Sequence, residues 1–171
     1  NDVRIFATGL RNAVGMAFPR QSRTLWCSVN ERDQAGDNLV PDFVTRVQDG
    51  GFYGWPWYYI GAFEDPHHEG ERPDLALLAA VPDVLIQPHS APLAIAFYEA
   101  DQFPPDYRGD LFVALHGSYN RSQRTGYKVV RLILRNGVPT GEYEDFMTGF
   151  VVSDAAVWGR PVGVAIDKHG A

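Results

Sequence analysis

The sequence predicts an all-β protein, and three observations lead to that fold class. Glycine and proline are frequent, with 17 and 12 copies in 171 residues, and aromatic side chains make up 13% of the chain. Short apolar runs alternate with these turn-forming residues, as in proteins built from many short strands. Helical periodicity is nearly absent. Only residues 72–80 could form a helix, which Pro73 would open and Pro82 would stop.

The strand candidates come in pairs joined by turns. Residues 127–134 are rich in β-branched side chains and end at Asn136-Gly137, a dipeptide typical of tight β-hairpins. Residues 142–150 would return from that turn. The other candidates are residues 14–18, 25–29, 93–98 and 111–115.

A short repeat suggests how these strands are organised. VGMAF at residues 14–18 recurs as LAIAF at 93–97 and as VGVAI at 162–166, with small residues at alternate positions. Recurrence of one strand pair at such intervals is typical of a β-propeller with long insertions, although chance similarity of short strands is the alternative. The third copy is followed by a turn and the last residue. We therefore expect residues 1–171 to be part of a longer propeller, truncated at both ends, with about three blades represented.

Composition and charge exclude several classes of protein. With 45% apolar and 21% charged residues, the chain is not intrinsically disordered. Its net charge of −6 argues against nucleic acid or an anionic membrane as the main partner. The longest apolar run, residues 75–81, is too short to span a bilayer, and the N-terminus lacks the pattern of a signal peptide. A single cysteine, Cys27, permits neither an intrachain disulfide nor a cysteine metal cluster.

Three polar or aromatic segments are candidate sites. Arg11 and Asn12, just before the first repeat copy, could bind an anionic ligand, or could be a surface arginine beside a turn-forming asparagine. The oxygen-rich loop at residues 30–38 has the composition of a Ca²⁺ site without EF-hand spacing, and is equally typical of a solvated turn. The aromatic run at residues 49–59 could line a pocket, but packing between blades is the favoured interpretation for most of its rings.

The histidines do not define a site by themselves. None has the spacing of a zinc site, although His89 and His116 fall at strand ends, where propeller loops carry function. A structural, hydrogen-bonding role is the commoner one for a lone histidine. The sequence also lacks a Gly-x-Ser-x-Gly elbow and a phosphate-binding loop, which argues against hydrolases of that type and nucleotide binding.

Several motifs, taken in order, resemble one protein family. They are GLRN at residues 9–12, VNERD at 29–33, GGFYGWP at 50–56, HSAP at 89–92, LHGSYNR at 115–121 and GRPVGV at 159–164. Together they resemble the glucose/sorbosone dehydrogenase family, whose members are soluble quinoproteins. The resemblance implies a six-bladed β-propeller that uses pyrroloquinoline quinone and Ca²⁺ to oxidise an aldose sugar or a sorbosone-type aldehyde. It also implies a periplasmic or secreted protein that passes electrons to a cytochrome or quinone acceptor.

The resemblance assigns roles to individual residues. Arg11, Asn12 and Arg160 fall on positions that contact the cofactor, and His116 lies where related enzymes place a lysine against the quinone. Arg32 and Asp33 fall where main-chain carbonyls would bind Ca²⁺. The sequence departs from the family at Val162, where relatives have a further arginine, so the carboxylate contacts differ there.

The catalytic histidine of the family is expected outside this chain, because none of the five histidines here aligns with it. Residues 1–171 alone are therefore expected to be inactive, while the longer protein would be an enzyme. A Ca²⁺-dependent propeller lactonase and a non-catalytic binding propeller are the alternatives. The Arg11-Asn12 pair and Arg160 favour the quinone over both, since neither alternative needs a site for a tricarboxylate.

Overall fold

A computed structural model describes residues 3–171, so Asn1 and Asp2 of the predicted domain lie outside the described residues. The described chain is all-β, as the sequence predicts, and its only helices are three single 3₁₀ turns. The strands are β1 Asn12–Ala17, β2 Leu25–Asn30, β3 Asp42–Val47, β4 Tyr58–Tyr59, β5 Phe63–Glu64, β6 Val84–Ile86, β7 Pro92–Phe97, β8 Leu111–Leu115, β9 Lys128–Arg135, β10 Val138–Met147, β11 Val151–Ser153 and β12 Ala156–Val157. The 3₁₀ turns are Pro66–His68, Pro73–Leu75 and Pro105–Tyr107.

Two four-stranded antiparallel sheets form the body of the structure, and each has the form of one propeller blade. The first has the strand order β1-β2-β3-β6, and the small hairpin β4-β5 lies in the long connection between β3 and β6. The second has the order β7-β8-β9-β10. Residues after β10 add the two-stranded hairpin β11-β12. The described chain therefore contains two complete blades.

The hairpin between β9 and β10 confirms the prediction made from Asn136-Gly137. Both residues have positive φ, 54° and 76°, as a type I′ turn requires, and Arg135 pairs with Val138 directly across it. The returning strand begins at Val138, earlier than the predicted residue 142, because pairing starts immediately after the turn.

The repeat marks equivalent strands in two of its three copies. The first two copies fall on β1 and β7, the first strand of each sheet, and these strands lie side by side. A Cβ added to Gly15 would lie 2.2 Å from the carbonyl oxygen of Leu93, so the small residue permits this approach. The prediction is wrong for residues 162–166, which form no strand. That segment lies beside β7 through one hydrogen bond, from the Ala94 N–H to the Val162 carbonyl at 3.2 Å, and no strand pairs with it among the described residues.

The main core lies between the two sheets. Trp26 from β2 packs edge-on against Phe97 from β7, with ring centroids 5.6 Å apart. The buried apolar side chains of this core come from β2, β3 and β6 of the first sheet and from β7, β8 and β9 of the second: Trp26, Val44, Val84, Ile86, Ile95, Leu111, Val113, Leu115, Val130 and Leu132. Burial of this shared core fixes the relative position of the two blades.

The predicted helix over residues 72–80 is wrong. Only Pro73–Leu75 form a 3₁₀ turn. The chain continues as a turn in which the Ala79 N–H bonds to the Leu75 carbonyl at 3.2 Å, and the Ala80 N–H then bonds to the Phe52 carbonyl at 2.8 Å. This long-range bond takes the place of the one that a helix would give Ala80, and Leu77 in the turn is 95% exposed. None of the helices in residues 3–171 has the length and apolar character needed to cross a membrane.

Candidate functional site

A polar pocket of about 260 Å³ lies where the two sheets meet, at one end of their strands. Its walls come from the start of β1, the segments after β2 and β8, and the segments leading into β3 and β7. The lining residues are Arg11, Asn12, Asn30, Glu31, Asp33, Asp42, His89, Ala91, Gly117, Tyr119 and Asn120. The pocket therefore contains three of the six site residues predicted from the sequence: Arg11, Asn12 and Asp33.

Arg11 and Asn12 stand at the entrance to β1. The Arg11 guanidinium donates to the carbonyl oxygens of Asn30 and Glu31, at 3.3 and 2.9 Å, from the same terminal nitrogen. It also lies 5.5 Å from the centroid of the Trp55 ring. These contacts hold the guanidinium against the pocket wall with its other N–H groups available to a ligand. A planar donor fork of this kind suits carboxylates.

The side chain of Arg32 does not line the pocket. It is buried, and it donates to the carboxylates of Glu31 and Asp65 and to the carbonyl oxygens of Pro56 and Tyr58. Arg32 therefore anchors the aromatic run at residues 49–59 to the loop after β2. The guanidinium of Arg32 thus has a structural role. Any contact of Arg32 with a metal ion would have to come from its main chain.

The carboxylates around Arg32 respond to burial in different ways. Burial raises the pKa of Glu31, and the nearby Arg32 charge offsets only part of that shift. For Asp65, burial also acts to raise the pKa, but hydrogen bonds from Arg32 and from His67 outweigh it and hold the pKa below its ordinary value. Asp65 is thus the ionised partner that fixes Arg32.

Asp33 is the point where the two blades meet inside the pocket. Its carboxylate accepts hydrogen bonds from the Tyr119 hydroxyl at 3.0 Å and from the Asn120 amide at 2.5 Å, both in the loop after β8. The hydrogen bond to Asp33 raises the pKa of Tyr119. In the described chain, no hydrogen bond is made to the main-chain oxygen of Arg32 or Asp33. Neither oxygen is therefore occupied by a protein donor there.

Asp42 is a buried carboxylate at the start of β3. Its two oxygens accept hydrogen bonds from the main-chain N–H groups of Glu31 and Ala91, each at 2.8 Å. Burial raises the pKa of Asp42 to about 6, because these bonds compensate only partly for the loss of solvent. Sequence reasoning missed Asp42, since nothing in the pattern around residue 42 marks it as more than the first residue of a strand.

His116 and Arg160 lie next to the pocket but do not line it. His116 Nδ1 faces the Pro161 carbonyl at 3.1 Å, and Arg160 donates to the carbonyl oxygens of His116 and Gly117. Gly117 is a lining residue, so Arg160 braces the pocket wall from behind. The Arg160 guanidinium also lies 5.3 Å from the Tyr127 ring centroid.

Further contacts join the loop at residues 30–38 to the loop after β8. Ser122 donates from its main chain and hydroxyl to Asp37, which lowers the pKa of that carboxyl. Arg121 donates to the side-chain oxygen of Asn38 at 3.0 Å. The sequence leaves open whether the oxygen-rich loop at residues 30–38 binds a metal or is a solvated turn. In the structure, Asp37 and Asn38 of this loop contact the neighbouring blade.

The side chains alone do not form a metal centre. Across residues 3–171 there is no group of three or more His, Cys, Asp or Glu side chains placed to hold a metal ion. A cation at the Arg32-Asp33 segment would rest on main-chain oxygens and on oxygens of a bound ligand. Oxygen ligands of this kind are the ones that Ca²⁺ prefers, and the metal role of Arg32 and Asp33 stays a prediction.

The two blades and the pocket between them define a partial β-propeller with a polar candidate site at one end of the strands. A model of the TrAA12-like family matches residues 75–171, and the chain belongs to that family. An uncharacterised protein of Borreliella burgdorferi is 34% identical over 163 residues, which cover 94% of this chain and 42% of that protein.

Solved structures extend the comparison. The chain is similar to the family AA12 carbohydrate-active enzyme of Trichoderma reesei in its calcium structure, with a TM-score of 0.76, 20% identity, and coverage of 96% of this chain and 49% of that one. It is also similar to the holo PQQ domain of pyranose dehydrogenase from Coprinopsis cinerea, with a TM-score of 0.65, 24% identity, and coverage of 86% and 45%. These likenesses confirm the partial propeller. The chain spans about half the length of these structures or less.

Proposed function

We propose that the protein containing this chain is an oxidoreductase that uses pyrroloquinoline quinone and Ca²⁺ to oxidise an aldose sugar or a sorbosone-type aldehyde. The observation that carries the proposal is the convergence of Arg11, Asn12 and Asp33 on one pocket between two blades. These are the positions that the sequence resemblance assigns to cofactor and metal. Membership of the TrAA12-like family and the likeness to a PQQ domain and a calcium structure support it.

The donor set fits the quinone. A planar tricarboxylate needs fixed cationic and amide donors around a slot, and Arg11 and Asn12 supply a guanidinium and an amide on the same wall. The pocket volume of about 260 Å³ approaches the lower end of small-molecule pockets, roughly 300 Å³. Arg160 does not line the pocket, but its bond to the Gly117 carbonyl holds this part of the wall in place.

The residues also fit the ion. The main-chain oxygens of Arg32 and Asp33 would hold Ca²⁺, and the bound quinone would complete its oxygen ligands. Pyrroloquinoline quinone would supply the hydride-accepting chemistry there, and Ca²⁺ would supply a Lewis acid. Arg11 and Asn12 orient the ring system, and Tyr119 and Asn120 fix the Asp33 side chain beside it. The general base is expected from sequence beyond these residues.

Titration of the full-length protein with pyrroloquinoline quinone, with and without Ca²⁺, tests the proposal. We expect Ca²⁺-dependent binding followed by reduction of a dye on addition of an aldose. Arg11→Ala should weaken quinone binding about 10- to 100-fold, because a hydrogen bond to a charged group is lost. Arg4→Ala is the matched control, since Arg4 pairs with Asp49 on the surface. Ca²⁺ binding with lactone hydrolysis and no quinone binding would instead identify a lactonase, and binding of neither would leave a non-catalytic module.

A further inference from the structure

His89 faces the candidate calcium loop with both ring nitrogens. Its Nε2 lies 2.9 Å from the Gly36 carbonyl oxygen, and its Nδ1 lies 3.5 Å from an oxygen of the Asp33 carboxylate. The side chain is only 4% exposed, so water does not compete for these contacts. Because a carbonyl can only accept, the proton lies on Nε2, and the histidine donates to the loop.

The backbone around His89 is fixed independently of its ring. His89 and Ala91 both have positive φ, 66° and 54°, which non-glycine residues adopt only when the surroundings hold them. The Ala91 N–H bonds to Asp42, whose other oxygen accepts from the Glu31 N–H. The segment before β7 therefore contacts the loop at its start through Asp42, and at its middle through His89.

The geometry makes His89 a poor general base. Its Nε2 proton is used by Gly36, and its Nδ1 points at the Asp33 side chain, which Tyr119 and Asn120 also hold. The His89 ring instead fixes the main chain between Asp33 and Gly36, because it contacts both residues. The path of this main chain sets the direction of the carbonyl oxygens at the start of the loop.

We propose that His89 is a positioning residue, which fixes the main chain of residues 33–36 by donating from Nε2 to the Gly36 carbonyl and so holds the Arg32 and Asp33 carbonyls in place for a cation. This inference rests on the proposed function for the identity of the ion. The positioning itself does not depend on any ion.

Two substitutions of His89 distinguish the loss of its hydrogen bond to Gly36 from the loss of its packing. In glutamine, the amide nitrogen stands the same number of bonds from Cα as Nε2, so His89→Gln can still donate to Gly36. In asparagine, the amide nitrogen corresponds to Nδ1, so His89→Asn loses that bond while tolerating positive φ better than most residues. His68→Asn is the control, because His68 lies in the Pro66–His68 turn and contacts Glu71.

Amide hydrogen exchange of residues 31–38, where the N–H groups of Glu31 and Arg32 are hydrogen-bonded, is the first measurement in the metal-free, full-length protein. We expect His89→Asn to speed exchange about 2- to 12-fold, the effect of one lost hydrogen bond, and His89→Gln to stay near wild type. Calorimetric titration with Ca²⁺ is the second. There His89→Asn should weaken affinity about 10- to 100-fold, as for other groups that orient metal ligands, with recovery in His89→Gln.

Unchanged exchange in His89→Asn would overturn the proposal. So would equal loss in the Asn and Gln variants together with a lower melting temperature, because that pattern indicates packing rather than donation to Gly36. A wild-type protein that binds no Ca²⁺ would refute the metal in the proposed function, and the exchange measurement would still decide the role of His89.

Discussion

The Asp42 carboxylate accepts a hydrogen bond from the main-chain N–H of Ala91 at 2.8 Å, and this bond joins β3 of one blade to the segment that opens β7 of the next. The second oxygen of Asp42 holds the N–H of Glu31. One buried carboxylate thus connects both blades at the pocket. Its pKa of about 6 records the cost of keeping a charge there.

We expect Asp42 to make the protein less stable as the pH rises from about 4 to about 6. Its folded pKa lies above the ordinary 3.8, so the native state binds the proton more tightly than the unfolded state. Its contribution to the free energy of unfolding is therefore greatest below pH 4 and falls by about 3 kcal/mol by pH 6. Urea unfolding across this range should give a flatter pH dependence for Asp42→Asn. An unchanged pH dependence would contradict the raised pKa given to Asp42. Some pH dependence should persist in the variant, because Glu31 also has a raised pKa.

Gly15→Ala should destabilise the contact between blades. A Cβ there would lie 2.2 Å from the Leu93 carbonyl oxygen and 2.8 Å from the Ser28 hydroxyl, which itself bonds to Leu93. Overpacking of this kind costs about 1–3 kcal/mol. Thermal unfolding of the full-length protein measures the loss. A melting temperature equal to that of the wild type would mean that β1 and β7 are farther apart than described.

Arg32→Met should destabilise the fold by about 3–5 kcal/mol, because it leaves Glu31 and Asp65 as buried charges without their partner. Arg72→Met is the matched control. Arg72 pairs with Asp74 on the surface, so its loss should matter far less. Denaturant unfolding of both variants provides the comparison, and similar stability of the two would exclude the structural role given to Arg32.

Cys27 should resist thiol reagents in the native protein. The side chain is buried in β2, and burial raises the pKa of its thiol to about 11, so little thiolate exists at pH 8. Labelling with an aromatic disulfide reagent should be slow until denaturant is added, and then proceed to one thiol per copy of residues 1–171. Rapid labelling without denaturant would show that the first blade opens readily.

Arg160→Ala should weaken binding of the quinone by about 1.5–3 kcal/mol in the full-length protein, the range for a hydrogen bond that involves a charged group, because the pocket wall loses the bond that holds Gly117. The present partners of Arg160 are the carbonyl oxygens of His116 and Gly117. Fluorescence titration with the quinone, compared with Arg124→Ala, measures the effect, since Arg124 bonds to Asp154 and Tyr127 instead. Equal affinity of Arg160→Ala and wild type would remove Arg160 from the cofactor site.

Local chemistry explains which features the sequence predicted. Asn136-Gly137 determines its turn within two residues, and the spacing of small residues in β1 and β7 reflects a contact that only small side chains allow. The helix over residues 72–80 failed because a distant residue, Phe52, takes the hydrogen bond of Ala80. Propensity in the segment contains no information about that partner.

The residues of the candidate site also divide into those that local sequence predicts and those that only the fold brings together. Arg11, Asn12 and Asp33 stand in motifs that could be recognised, and all three line the pocket. The contacts of Asp42 and His89 form only when the two blades pack together. The sequence of either segment alone therefore does not predict them. The HSAP and LHGSYNR motifs contain the available signals, His89, Tyr119 and Asn120, but only the fold shows that all three face Asp33.

The contact between Asp33 and Tyr119 spans 86 positions of the chain, whereas the strands of each blade pair mostly with their neighbours in sequence. During synthesis, β1, β2 and β3 leave the ribosome well before residue 119 does. The oxygen-rich loop after β2 therefore exists for a time without the tyrosine and the amide that occupy its carboxylate. The pocket acquires its last wall only when the second blade has been translated as far as Asn120.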